Sequence, residues 1–194
     1  MGKIEIRFQE LTDLIPKFEL HSSSAIHAAA NALVEAFKSG NKVLICGNGG
    51  SAADSQHFAA EFVNAFSRDL DRKALPAIAL TTDTSVLTSI ANDFEFENIY
   101  SRQIEAHGLP KDVLIVLTTS GTSKNCINAI NTANSIGLTT IAFTKEKGQV
   151  STQAQISVEV PSQNTQHIQE CHMLAYHVIT ELVEDALFRK AITQ

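Results

Sequence analysis

Tryptophan is absent from this chain of 194 residues, tyrosine occurs only twice, and lysine and arginine form no cluster. With a formal net charge of -6, these absences exclude a broad nucleic-acid surface, although a local phosphate site remains compatible with the charge. Cysteine is scarce as well: Cys46, Cys126 and Cys171 are odd in number and lack a paired spacing. A disulfide framework is therefore excluded, and three reduced thiols in apolar or helical surroundings point to a cytoplasmic setting. No apolar run approaches the ~18 residues of a membrane span. The start Met1-Gly2-Lys3-Ile4-Glu5-Ile6-Arg7 has no signal-peptide core, so neither secretion nor membrane insertion is expected. Repeats and low-complexity linkers are missing too, and the length suits one domain covering residues 1–194.

What the chain does contain is a regular alternation of apolar, β-rich runs and helical patterns. Apolar positions at three- and four-residue spacing predict two amphipathic helices, over residues 4–18 and 24–38, which cover the core or meet another subunit. Strands are expected at 43–47, 77–80, 113–117, 139–143 and 156–160. Helices are expected after the first glycine loop, at 85–91, 99–106, 123–135 and 165–188, with Gly137 ending the fourth of these. Such an order favours a parallel sheet with helices on both faces, and ligands in such folds sit beyond the carboxyl ends of the strands.

Three segments fall where a ligand would sit. In Cys46-Gly47-Asn48-Gly49-Gly50-Ser51, an apolar strand runs into glycines and then into a helix start. Unpaired N–H groups and the positive end of the helix dipole favour an anion there, and glycines permit close approach; an ordinary strand-to-helix turn would use the same residues. In Thr118-Thr119-Ser120-Gly121-Thr122-Ser123, five hydroxyl residues and a glycine follow a strand and can ring a phosphate without lysine or arginine. One helix cap would need only one of those hydroxyls. Asn92-Asp93, following an apolar helix, reads either as a turn or as a pair facing ligand hydroxyls.

His57 and Glu61 are four residues apart and share a helix face, a spacing suited to two ligands of one divalent metal or to a base beside an imidazole; a surface carboxylate beside a satisfied histidine is the plainer alternative. The last helix offers partners: Gln169, Glu170, His172 and His177 lie among apolar residues, and polar groups on a helix fit for burial need partners. Gln169 and His177 are separated by roughly 12 Å at ~1.5 Å per residue. One metal held by both would require long side chains, a distorted helix start or two subunits, and a subunit interface is favoured.

Taken together, Cys46-Gly47-Asn48-Gly49-Gly50-Ser51 with His57 and Glu61, Ala91-Asn92-Asp93-Phe94, Thr119-Ser120-Gly121-Thr122-Ser123, and Ile168-Gln169-Glu170-Cys171-His172 with His177 resemble the phosphoheptose isomerases of the sugar isomerase (SIS) domain superfamily. The resemblance covers nearly the whole chain. It implies an α/β, three-layer, flavodoxin-like SIS domain with N-terminal helices, assembled as a homotetramer with active sites at subunit interfaces. By position, the family's zinc ligands fall on His57, Glu61, Gln169 and His177, and its acid/base pair on Glu61 and His177. Its substrate contacts fall on Asn48, Gly49, Gly50, Ser51, Asn92, Asp93, Thr118, Thr119, Ser120, Ser123 and Gln169. The implied reaction converts sedoheptulose 7-phosphate to D-glycero-D-manno-heptose 7-phosphate, the first step toward lipopolysaccharide heptose, with no direct nucleic-acid or membrane partner. Relatives often carry arginine where this chain has Ala65. The alternative is the DnaA initiator-associating protein of the same superfamily, a non-catalytic tetramer that lacks equivalents of Glu61, His177 and Gly50; this chain has all three.

Overall fold

A computed structural model describes residues 2–189. Five parallel strands form one sheet in the order β2-β1-β3-β4-β5, with β1 Val43–Gly47, β2 Ala77–Ala79, β3 Val113–Thr118, β4 Thr139–Lys145 and β5 Ile156–Val160. This is the doubly wound flavodoxin-type order, in which chain direction across the sheet reverses between β1 and β3 and leaves a crevice at their carboxyl ends. The strands β1 and β3 are buried at every position, as parallel strands covered on both faces must be.

Side chains alternate between two cores. Val43 and Ile45 of β1, with Val113, Ile115 and Leu117 of β3, face a layer built from α1 (Lys3–Lys38), α2 (Gly50–Val63) and α6 (Thr165–Phe188). Leu44, Cys46, Leu114 and Val116 face the opposite layer, where α4 (Ser101–His107) and α5 (Lys124–Ile136) pack. The remaining helix, α3 (Thr84–Phe94), starts on an Asp83 cap whose side chain accepts from the Val86 amide. Gly137, in the left-handed region at φ 89°, ends α5 where the sequence placed the stop. Among the described residues no helix is long and apolar enough to cross a membrane.

Two sequence expectations are corrected here. The two N-terminal helices are a single helix, α1, running through Pro16. The interval read as a break holds Ser22 and Ser23, but no glycine, and neither serine caps a new helix. The Ser22 hydroxyl donates to the Glu159 carbonyl of β5 at 2.6 Å, and the Ser23 hydroxyl to the Glu19 carbonyl one turn back. Asn92 and Asp93 are not in a turn after a helix but in the last turn of α3, which runs on to Phe94 before Glu95 breaks it at φ 77°. Only two of the three expected polar loops therefore lie at strand ends.

Candidate active site

The first loop owes its shape to three glycines. A Cβ on Gly47 would lie 2.7 Å from the Ser51 carbonyl and 2.8 Å from that of Leu117, so β1, β3 and the start of α2 can converge only without a side chain there. Gly49 takes φ 56°, which turns the chain into α2, and a Cβ on Gly50 would meet the Gln169 amide at 2.5 Å. Asn48 is held by a reciprocal amide pair with Asn125 on α5, at 2.9 and 2.8 Å. This fixes the N-terminus of a 14-residue helix, which no side chain caps, at the sheet crevice.

The second loop, after β3, gathers hydroxyls as its composition predicted. Thr118, Ser120 and Ser123 form a triangle with oxygen separations of 3.3, 3.3 and 3.4 Å, while Thr119 is half-buried beside them. Gly121 takes φ 70° and packs so closely on Gly148 that a Cβ would come within 2.5 Å of its Cα. Asn92 and Asp93 are exposed, and Asn92 donates to Asp93 at 2.8 Å. The turn that follows them is tied to α5 by Lys124 and Glu97 at 2.8 Å, which brings the end of α3 toward the rim of the second loop.

Below the first loop, α2 and α6 run side by side in the same direction, as their contacts show in order. Gln169 donates to Asp54 at 2.8 Å; then the Tyr176 hydroxyl meets His57 Nδ1 at 2.9 Å; then Glu184 receives the Phe66 and Ser67 amides at 2.9 and 3.0 Å. In the middle of this seam His57 Nε2 lies 2.9 Å from Glu61 Oε1, and the His177 ring stands edge-on to His57 at 5.2 Å. One donor atom from each of His57, Glu61 and His177 lies within 4.8 Å of the others. Two imidazoles and a carboxylate at that spacing fit a divalent metal of intermediate softness, since ligand atoms around ~2 Å bonds stand a little over 3 Å apart and small rotations close the gap. The Gln169 amide is held by Asp54 at the loop end of α2. Of the other polar residues on α6, Glu170 is bound to His167 at 2.8 Å, and His172 is buried edge-on to Phe143.

Electrostatics follow from this packing. Burial, and behind it the neighbouring His57, hold His177 below the ordinary histidine range against the pull of Glu61. Burial raises the Asp54 carboxyl, with the Gln169 amide and His57 acting against it. Burial likewise drives His172 down to about 4, which keeps it neutral. Asp54, Asn125 and Tyr176 escaped the sequence reading. Asp54 left one usable signal, since it stands on the same α2 face as Gly50 and His57.

Residues 8–145 match the SIS domain family. A curated relative from Aquifex aeolicus, a phosphoheptose isomerase, is 47% identical over 193 residues, covering 98% of this chain and all of its own length. Another phosphoheptose isomerase, from Clostridium acetobutylicum, is 49% identical across 87% of this chain and 86% of its own. Among solved structures, the phosphoheptose isomerase of Neisseria gonorrhoeae superposes with a TM-score of 0.89 at 35% identity, covering 94% of this chain and 97% of that one. That of Francisella tularensis gives 0.90 at 35% identity over the same shares.

Proposed function

The chain belongs to the phosphoheptose isomerase family of SIS-domain proteins and is an isomerase of phosphorylated heptose; we propose that it converts D-sedoheptulose 7-phosphate to D-glycero-D-manno-heptose 7-phosphate. The observation that carries this reading is the seam between α2 and α6, where a base, two imidazoles and a helix N-terminus share one line. From Gly50 to His57 is seven residues of helix, roughly 10 Å at ~1.5 Å each, a span suited to an open-chain sugar whose phosphate sits at the loop.

Aldose–ketose exchange moves one proton between neighbouring carbons. Glu61 takes the proton from C1 of the ketose, the electron pair forms the C1–C2 double bond, and the C2 oxygen gains a proton. Return of the proton to C2, with loss of the O1 proton, leaves the C1 aldehyde. The Oε1 atom of Glu61 faces His57, so Oε2 is the oxygen assigned to carbon. His177, edge-on to His57, handles the oxygen protons and assists ring opening. His57, Glu61 and His177 would hold a zinc ion, which when bound would supply Lewis-acid polarisation of the carbonyl. Phosphate is assigned to the hydroxyls of Thr118, Thr119, Ser120 and Ser123 and to the first loop at Asn48, Gly49, Gly50 and Ser51. Sugar hydroxyls are assigned to Asn92, Asp93 and Gln169.

The whole chain acts as one domain in a cytoplasmic homotetramer that feeds lipopolysaccharide heptose synthesis. An apolar groove between α1 and α6, lined by Ile15, Phe18, Ile26, Leu174, Val178 and Leu182, supports the assembly. An active site formed between subunits would also let Gln169 act as a fourth zinc ligand across the interface. The test is a proton NMR assay with sedoheptulose 7-phosphate, with and without zinc. Formation of the aldose heptose phosphate, slowed by chelation and restored by zinc, is expected; no aldose from zinc-loaded tetramer would overturn the assignment.

A further inference from the structure

The Tyr176 ring is fully buried, stacked on Phe58 at 4.9 Å and 19°, so the hydroxyl cannot swing away from His57 Nδ1 at 2.9 Å. Consecutive residues of α6 thus grip one imidazole: Tyr176 holds its core side, and His177 stands edge-on to it at 5.2 Å. Hydrophobic packing alone would be served by phenylalanine. The hydroxyl is what the core does not need, and its partner is a residue of the candidate metal trio.

We propose that Tyr176 is a positioning residue whose hydroxyl, by donating or accepting, lets His57 change tautomer as metal enters. This rests on the reading of His57, Glu61 and His177 as metal ligands. Glu61, when ionised, only accepts hydrogen bonds, so its 2.9 Å contact with His57 Nε2 requires the ring proton on Nε2 in the metal-free site. In the neutral ring Nδ1 is then a bare acceptor, and the Tyr176 O–H donates to it. A metal ion needs the Nε2 lone pair, so the ring proton must then sit on Nδ1, where it donates to the Tyr176 oxygen. A backbone carbonyl or carboxylate in this place could serve only the second state, and an ammonium only the first; a hydroxyl serves both by turning its hydrogen. Outer partners of this kind orient a ligating histidine and fix which nitrogen carries the proton.

Tyr176→Phe, which keeps the ring and removes only the hydroxyl, provides the test. Zinc affinity is measured on the full-length protein by competition with a chromophoric chelator, and side-chain 15N shifts of His57 are recorded without metal. The variant is expected to bind zinc about 10–100-fold more weakly. Its His57 is expected to shift from a single Nε2–H form toward a mixture, while the metal-free melting temperature falls by no more than about 2–6 °C. Equal zinc affinity and unchanged His57 shifts would overturn the inference and leave the metal reading standing. Failure of the unsubstituted protein to bind zinc would overturn the metal reading and the inference with it.

Discussion

Arg72 and Glu184 form an ion pair at 2.6 Å in which neither side chain retains solvent exposure, and its removal should be the most destabilising change near the site. The pair also satisfies backbone groups. Arg72 donates to the carbonyls of Glu61 and Phe62 at 2.7 and 2.9 Å, closing the C-terminal end of α2, while Glu184 accepts the amides of Phe66 and Ser67. Arg72→Met would strand a buried carboxylate, at a cost of about 3–5 kcal/mol. For a chain of this length each kcal/mol is worth about 2–4 °C, so melting should drop by roughly 6–20 °C. Combining Arg72→Met with Glu184→Leu removes both charges, and for a simple buried pair the double variant would match or exceed the parent. Here the backbone groups stay unpaired, at about 1–3 kcal/mol each where water cannot reach them. The double variant should therefore fall between the single variant and the parent. Thermal unfolding of all three in chelator, which removes any metal contribution, is the assay. A double variant as stable as the parent would refute the backbone-anchor reading, and a loss below about 1 kcal/mol in Arg72→Met would refute the burial argument. Acid provides a second check. Burial alone would raise the Glu184 carboxyl, but Arg72 and the two amides bring it below its ordinary 4.5. Its contribution is thus fully present above that value and is lost as pH falls through the lower folded value. Unfolding curves of Glu184→Leu should lose that part of the acid dependence.

Glu61→Gln keeps shape but removes the base; turnover should fall by at least about 10²–10⁴-fold with the unfolding curve little changed, and full activity would defeat the mechanism. Gly50→Ala places a methyl where the Gln169 amide now lies, 2.5 Å from its nitrogen. Because that neighbour is the end of a flexible side chain and alanine favours the helix, stability should hold, while kcat/KM drops about tenfold as Gln169 leaves Asp54. Gly121→Ala has no such escape: φ 70° costs about 1–2 kcal/mol for a side chain, and the obstacle is the Gly148 backbone. Both melting temperature and inhibition by inorganic phosphate should weaken, and an unchanged inhibition constant would detach the loop from phosphate binding.

The sheet was readable because buried parallel strands run apolar, as Val43–Gly47 and 113–117 do, and α6 because its pattern continues unbroken from an Asn164 cap. Local chemistry also marked the glycine loop, the hydroxyl loop and the His57 and Glu61 spacing. What sequence spacing could not supply was the pairing of distant helices. Tyr176 meets His57 across 119 positions and Gln169 meets Asp54 across 115, and only the parallel run of α2 and α6 makes these separations equivalent. The same geometry gives Gln169 and His177 different neighbours within one chain. Two polar residues eight apart on α6 are separated by roughly 12 Å along the helix and can serve successive points along a line. Gln169 stands with Gly50 and Asp54 at the loop end of α2, and His177 with His57 and Glu61 farther down. A substrate with phosphate at one end and a carbonyl at the other has the same linear order. Under the proposed function, the distribution of polar residues on α6 suits an extended sugar phosphate lying beside that helix.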